Sequence, residues 1–346
     1  MTSEGITRTA LILCASILAI AGLYFARSVL APFAVSLFAI AVVWPVQKRL
    51  ETRLPQLVAL AITLLATIAA LGSLLALTIW ALGQVARWLT VNTAHLQELY
   101  MSVTQWLESH GIYVVGLFVD RFDVLWLARP FQELASTVWR MAGFLVLVIV
   151  FMMLGLLEVR DFKRKLETLG YGDFGPRALE AGAIIADKFR RYTVIRTVAS
   201  VLTGLMVGAL CWLVGVELAD VWGALAFVLN FIPFIGPFFA TILPAVFAIA
   251  QFQSWEAAAI ILAGASLIQF LIGSYLEPTL SGTALSISPL LVVFSVFFGA
   301  LLWGITGAFM GVPIAIAVLT LLAQDEKTAW AAYLLSGKKQ FPDQEA

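Results

Sequence analysis

The stretch NFIPFIGP, residues 230–237, decides how this chain folds. It sits inside the charge-free run 221–250, long enough for a membrane helix, yet it holds two prolines, a glycine and an asparagine. Each proline removes a backbone donor and clashes with the preceding turn, so an unbroken helix does not run through it. Lipid offers no hydrogen bonds, and irregular backbone at membrane depth survives only where protein or a water-filled cavity covers it. The stretch therefore predicts a buried bend between two half-helices. It leaves carbonyls around residues 229–233 without helical donors, beside an Asn230 amide able both to donate and to accept. Half-helix ends of this kind bind ions and polar substrates in transporters, whereas a kink or re-entrant hairpin that touches no ligand is the alternative reading.

The surroundings say why the bend must be read against lipid. Of 346 residues, 62% are hydrophobic and 12% charged, against roughly 45–50% and about 25% in a soluble domain. Eight charge-free segments, 9–26, 28–47, 54–86, 141–157, 197–216, 221–250, 257–276 and 278–324, are each long enough to reach across a bilayer. The expected fold is an all-α membrane protein with about eight transmembrane segments, and broken or re-entrant helices in the C-terminal half. Arg8 followed by LILCASILAIAGLYFA (11–26) looks like a secretory signal, but a second apolar segment follows at once, so it is expected to be an uncleaved first span.

Basic residues give the expected orientation. Residues 159–191 carry Arg160, Lys163, Arg164, Lys165, Arg177, Lys188, Arg190 and Arg191, while 87–139 carry only Arg87, Arg121 and Arg129. The first region, with QKRLETR at 47–53, belongs inside, which puts both termini in the cytoplasm and 87–140 outside. The resulting division is 1–86 as N-terminal spans, 87–140 as an external amphipathic segment, 141–158 as a span, and 159–196 as a cytoplasmic helical segment. Residues 197–322 form a transport-like membrane domain and 323–346 a tail. In the external segment Leu96, Leu99, Tyr100, Val103 and Trp106 follow helical spacing, a face for the membrane surface or for a neighbouring subunit.

Motif chemistry is sparse. Twenty-one basic and 21 acidic residues cancel, so no global field points to nucleic acid. Cys14 and Cys211 lie apart in apolar runs, with no metal-ligand spacing, and neither a metal nor a cofactor is expected. No phosphate-binding glycine–lysine loop appears, so transport would draw on a gradient or be passive. GYGD at 170–173 matches the glycine-flanked aspartate of intramembrane proteases, but it lies in the most basic loop, and no charge-free span holds a second aspartate. There is no G-x-S-x-G, and His95 and His110 belong to the external region, where solvated surface histidine is expected. An enzyme is not expected.

Candidate pathway residues are Asn230, Ile232, Pro233, Gly236 and Pro237, together with Glu277 and Pro278, where a carboxylate ends the span 257–276 at a helix stop. Glu277 either binds a cation or proton or merely marks the helix end. Arg196, at the start of its span, is expected to snorkel to the basic interface. A second break is expected in WGITGAFMGVP (303–313), which echoes WGALAFVLNFIP (222–233) in its order of Trp-Gly, apolar run and Pro, as a repeat would. Gly282, Pro289, Gly304, Gly307 and Pro313 are the expected hinge or close-packing positions.

With NFIPFIGP, LEPTLSGTALSISPL (276–290) and LLWGITGAFMGVPIAIAV (301–318) assembled, the chain resembles the autoinducer-2 exporter family of permeases along nearly its whole length. The resemblance implies a multi-pass inner-membrane protein in the lipid bilayer, a homo-oligomer that exports a small polar solute such as autoinducer-2. Some relatives act as sodium or lithium/proton antiporters, so Na+ or H+ is the implied coupling ion under that alternative. A membrane scaffold that moves nothing is the third reading.

Overall fold

A computed structural model describes residues 3–110, 125–168, 174–281, 287–325 and 327–337. Their regular structure is helical: α1 (Ser3–Phe25), α2 (Arg27–Glu51), α3 (Gln56–Val91), α4 (Thr93–Ser109), α5 (Leu125–Thr168) and α6 (Phe174–Val214). There follow α7 (Ala219–Leu229), α8 (Ile235–Phe252), α9 (Trp255–Leu271), a π-helical turn (Ile272–Leu276), α10 (Glu277–Ser281), α11 (Pro289–Gln324) and α12 (Ala329–Leu335). Among the described residues seven helical stretches are long and apolar enough to cross a membrane, and Ala10–Phe25 and Ala219–Leu229 are shorter apolar helices. This is an all-α membrane protein. The cytoplasmic helices expected at 159–191 are continuations of α5 and α6, because a helix leaving lipid keeps its own hydrogen bonds in water. The glycine-rich turn and GYGD at 170–173 fall outside the described residues, as does Gly282.

The chain forms two compact units that interleave in sequence: Met1–Ala66, Gly143–Val194 and Ser281–Ala346 make one, Thr67–Ala142 and Ile195–Leu280 the other. In the first, Leu60, Met152 and Leu156 centre a core packed by Ile40 and Trp44, and Phe38 packs on Phe189 and Phe309. Its decisive element is α11, which is not one rod. Trp303 and Gly304 leave helical geometry, with Gly304 at φ 63°, ψ −140°, a region open essentially to glycine alone. The arms 289–302 and 305–324 fold back on one another: a Cβ on Gly307 would lie 1.9 Å from the Gly299 carbonyl oxygen, and one on Gly311 2.3 Å from that of Ser295. Contacts paired symmetrically about residue 303 are those of a helical hairpin. Ser288 caps its start by accepting from Leu291 N at 3.2 Å, with Pro289 in the first turn, where no donor is missed. Pro313 is buried inside the second arm, so the break lies at Gly304 and not there.

The second unit is built around Val85, Leu89, Leu96, Trp222, Phe247 and Ile261. Here the segment 221–250 becomes a second hairpin, α7 and α8 joined by residues 230–234. At about 1.5 Å per residue α7 reaches roughly 16 Å and cannot cross a core of about 30 Å. Glycines set how closely it docks: a Cβ on Gly223 would stand 2.8 Å from the Gly204 oxygen and 3.1 Å from Gly208 Cα, so α6 and α7 meet backbone to backbone. Leu218 before α7 and Gln253 after α8 are both left-handed, at φ 57° and 50°. A hydrogen-bonded clasp holds these feet. Gln251 accepts from Glu217 N at 2.7 Å and donates to the Gly215 oxygen at 3.0 Å, and Trp88 Nε1 donates to the Glu217 carboxylate. His95 donates from Nε2 to the Gln251 oxygen at 3.2 Å, so it is a clasp member and not a solvated surface histidine. The amphipathic helix α4 buries Leu96 and half-buries Leu99 and Tyr100, while Val103 and Trp106 stay exposed.

Candidate polar site in the second unit

The tip of the α7–α8 hairpin is tighter than the sequence suggests. Ile232 N bonds the Leu229 oxygen at 2.9 Å, Gly236 N the Ile232 oxygen at 2.8 Å, and Ile235 N the Pro233 oxygen at 2.7 Å. The last is a three-residue turn about Phe234, held at φ 62°, ψ −50°, a rare and strained conformation. The carbonyls expected to be free at Leu229, Ile232 and Pro233 are therefore taken up locally, because short-range turns replace the missing i→i−4 donors. Pro233 and Gly236 are buried, Ile232 and Pro237 half-buried. Pro237 sits in the first turn of α8, where its absent N–H has no partner to lose. Gly236 is obligatory: a Cβ there would stand 1.9 Å from the Leu229 oxygen.

What the tip presents inward is Asn230, 1% exposed, whose Nδ2 donates to Ser200 Oγ at 3.2 Å. Ser200 itself is wholly buried on α6. One turn earlier on the same helix Arg196 Nη1 donates to Glu277 Oε1 at 2.7 Å, with side chains 12% and 22% exposed. Arg196, expected to snorkel, is instead largely buried and paired with a carboxylate that neutralises its charge. The spacing of Arg196, Ser200 and Thr203, four residues and then three, places all three on one face of α6. Glu277 opens α10 directly after the π-helical turn, an irregularity that recurs at functional sites, and Pro278 beside it is exposed.

Asn230 and Glu277 thus meet neighbouring turns of α6, at Ser200 and Arg196, and form one polar strip, while Ile232, Pro233, Gly236 and Pro237 shape the tip that carries Asn230. Gly304, Gly307, Pro289 and Pro313 belong to the α11 hairpin of the first unit. The Trp-Gly echo does not mark equivalent structure: Trp222 and Gly223 lie within α7, whereas Trp303 and Gly304 form the turn of a hairpin. Sequence reading missed Ser200, and it missed the partner of Arg196. The available signal was a polar side chain repeating at helical spacing after an ionised one. A groove of about 540 Å³ runs between α6 and α7, past Gly204, Gly208, Trp212 and Phe227, on the flank of α6 turned away from Arg196 and Ser200. Its lining is almost wholly apolar, so it is not the polar site. Among the described residues no three His, Cys, Asp or Glu side chains cluster to hold a metal. The strip offers hydrogen-bond donors and acceptors and one neutralised charge pair, which suits reversible binding of a small polar solute.

Comparison with known proteins finds transport proteins. A family profile described as "AI-2E family transporter" matches residues 13–325. The AI-2 transport protein TqsA of Escherichia coli (strain K12) is 30% identical over 328 residues, covering 92% of this chain and 93% of that protein. A Haemophilus influenzae protein named "Putative transport protein" is 28% identical over 96% of this chain and 97% of its own length. A Borreliella burgdorferi protein of the same name is 33% identical over 51% of this chain and 49% of its own.

Proposed function

We propose, from the premise that this chain belongs to the AI-2E transporter family, that it is a secondary transporter exporting a small polar molecule such as autoinducer-2 across the bacterial inner membrane. The observation that carries the reading is the Asn230–Ser200 contact at a broken-helix tip, one turn from the Arg196–Glu277 pair. Polar and ionisable groups inside a membrane cost stability, and they mark binding sites and pathways. The α7–α8 hairpin, within residues 197–322, is the solute-carrying element. The distribution of basic residues supports cytoplasmic termini, and a homo-oligomer follows the family resemblance.

Cation/proton antiport ranks second. Glu277 is the carboxylate it would use, but Arg196 already occupies that carboxylate. The scaffold reading, which turns on α4, leaves the buried strip without a purpose.

Purified protein in proteoliposomes should move autoinducer-2 down an imposed gradient. Asn230→Ala should lower that flux about tenfold without loss of folded protein. Wild-type vesicles no more permeable than empty ones would remove the exporter reading, and a sodium-dependent pH change in everted vesicles would favour antiport.

A further inference from the structure

Two polar atoms beside the strip are left over. Thr203 Oγ1 and Gln269 Nε2 are buried, and among the described residues neither has a hydrogen-bond partner. An unmade buried hydrogen bond costs free energy, and each such group in a native structure calls for an explanation. For a helical threonine the remedy is at hand, because its hydroxyl can bond the carbonyl four residues back. Thr78, Thr193 and Thr320 do so at 2.7, 2.8 and 2.7 Å. Thr203, fully buried in the same kind of helix, does not.

The face of α6 that carries Thr203 can be bracketed. Arg196, Thr203 and Leu210 are spaced seven apart on α6 and lie within about 40° of one another around the helix. Arg196 reaches Glu277, and Leu210 packs over Gly264, with Leu210 Cδ2 2.8 Å from where a Cβ on that glycine would stand. Thr203, midway between, therefore faces the helix running from α9 into α10. The two contacts run antiparallel in nearly the same register, so Gln269 lies about 3 Å along the axis from the level of Thr203, turned about 140° around its own helix from Gly264. Ser200 and Asn230 lie one turn away, and the π-helical turn begins three residues after Gln269. Trp222 Nε1 also lacks a partner, but its ring is wedged against Phe247 in the apolar core and presents nothing to the strip.

We propose that Thr203 and Gln269 are hydrogen-bond ligands of the transported solute and determine its specificity. The proposal rests on the transport reading above. Gln269 Nε2 donates, so the solute must offer an accepting oxygen, and the Thr203 hydroxyl pairs with a second oxygen function. Arg196 and Glu277 cancel, so the solute is neutral. A site built to satisfy such groups rejects analogues that lack them, because binding would then bury them unpaired.

The test uses the full-length protein with Thr203→Val, Gln269→Met and Thr203→Ser, and with autoinducer-2 and erythritol as probes. Thermal unfolding is followed with and without probe, alongside flux in proteoliposomes. Without probe, Thr203→Val and Gln269→Met should be as stable as wild type or more so, since each removes an unpaired buried group at nearly constant shape. With probe, each should lose about tenfold in apparent affinity, while Thr203→Ser keeps it. Variants that are less stable than wild type without probe but keep its affinity would show that the two groups have structural partners, and the proposal fails. Unchanged affinity at unchanged stability overturns it equally, and leaves the transport reading standing. A wild type that neither shifts nor transports either probe overturns both.

Discussion

Replacing Gly236 by alanine is the sharpest test of the hairpin tip. The added Cβ would lie 1.9 Å from the Leu229 carbonyl oxygen, 2.5 Å from its carbon and 3.0 Å from Asn230 N. Ordinary C···O contacts begin near about 3.3 Å, so the two strands of the tip must part by about 1.4 Å. No side chain can swing aside, because all three obstacles are backbone. Parting by that much breaks the Gly236 N to Ile232 oxygen bond, now 2.8 Å, and draws Asn230 off Ser200, whose bond at 3.2 Å has little slack. Overpacking of this kind costs about 3 kcal/mol, the upper end of its usual range. A second alanine supplies the control: at Gly273, in the π-helical turn, nothing lies within 4 Å of the place an added methyl carbon would take. Thermal unfolding in detergent should show Gly236→Ala melting at least about 5 °C below wild type, with autoinducer-2 flux reduced as strongly as by Asn230→Ala. Gly273→Ala should stay within about 1 °C. Equal melting temperatures and equal flux for Gly236→Ala and wild type would refute the tip geometry and the role of Asn230 with it.

Two further outcomes follow from the same structure. Arg196→Met and Glu277→Met should each destabilise by about 3 kcal/mol, because each strands a partner of opposite charge, whereas the double substitution should be nearly neutral. Chemical unfolding of the four proteins gives the coupling, and simple additivity would mean that the pair is not formed. Gly304→Ala should cost about 2 kcal/mol although no atom lies within 4 Å of the new methyl, since φ 63°, ψ −140° is strained for any L side chain. A melting temperature equal to wild type would show that the turn of the α11 hairpin lies elsewhere.

Some of this was legible in the residues alone. NFIPFIGP announces a break because proline and lipid impose their demands locally, whatever the rest of the chain does. Glycine at 304 and 307 announced the second break for the same reason, although whether Gly304 or Pro313 made it was not decided. Gln269 is the single amide of the span 257–276 and could have been singled out as a polar group in an apolar helix. Arg196 could not have been placed: its position at a span boundary fits snorkelling as well as pairing, and Glu277 lies 81 residues away. Similarity in order, as between Trp222–Pro233 and Trp303–Pro313, proved a poor guide to conformation. A tryptophan–glycine pair is helical when its neighbours fill the turn, and non-helical when the chain must reverse.

Sequence by itself determined the medium, the helical class and the points where helices break, since each follows from hydrogen bonds that a segment must satisfy within itself. Only the tertiary structure decided which polar groups meet: Asn230 with Ser200 across 30 residues, and Arg196 with Glu277 across 81. Those meetings depend on how closely glycine-lined backbones approach and on the register of antiparallel helices. Both are properties of packed surfaces, and neither is written into the local order of residues.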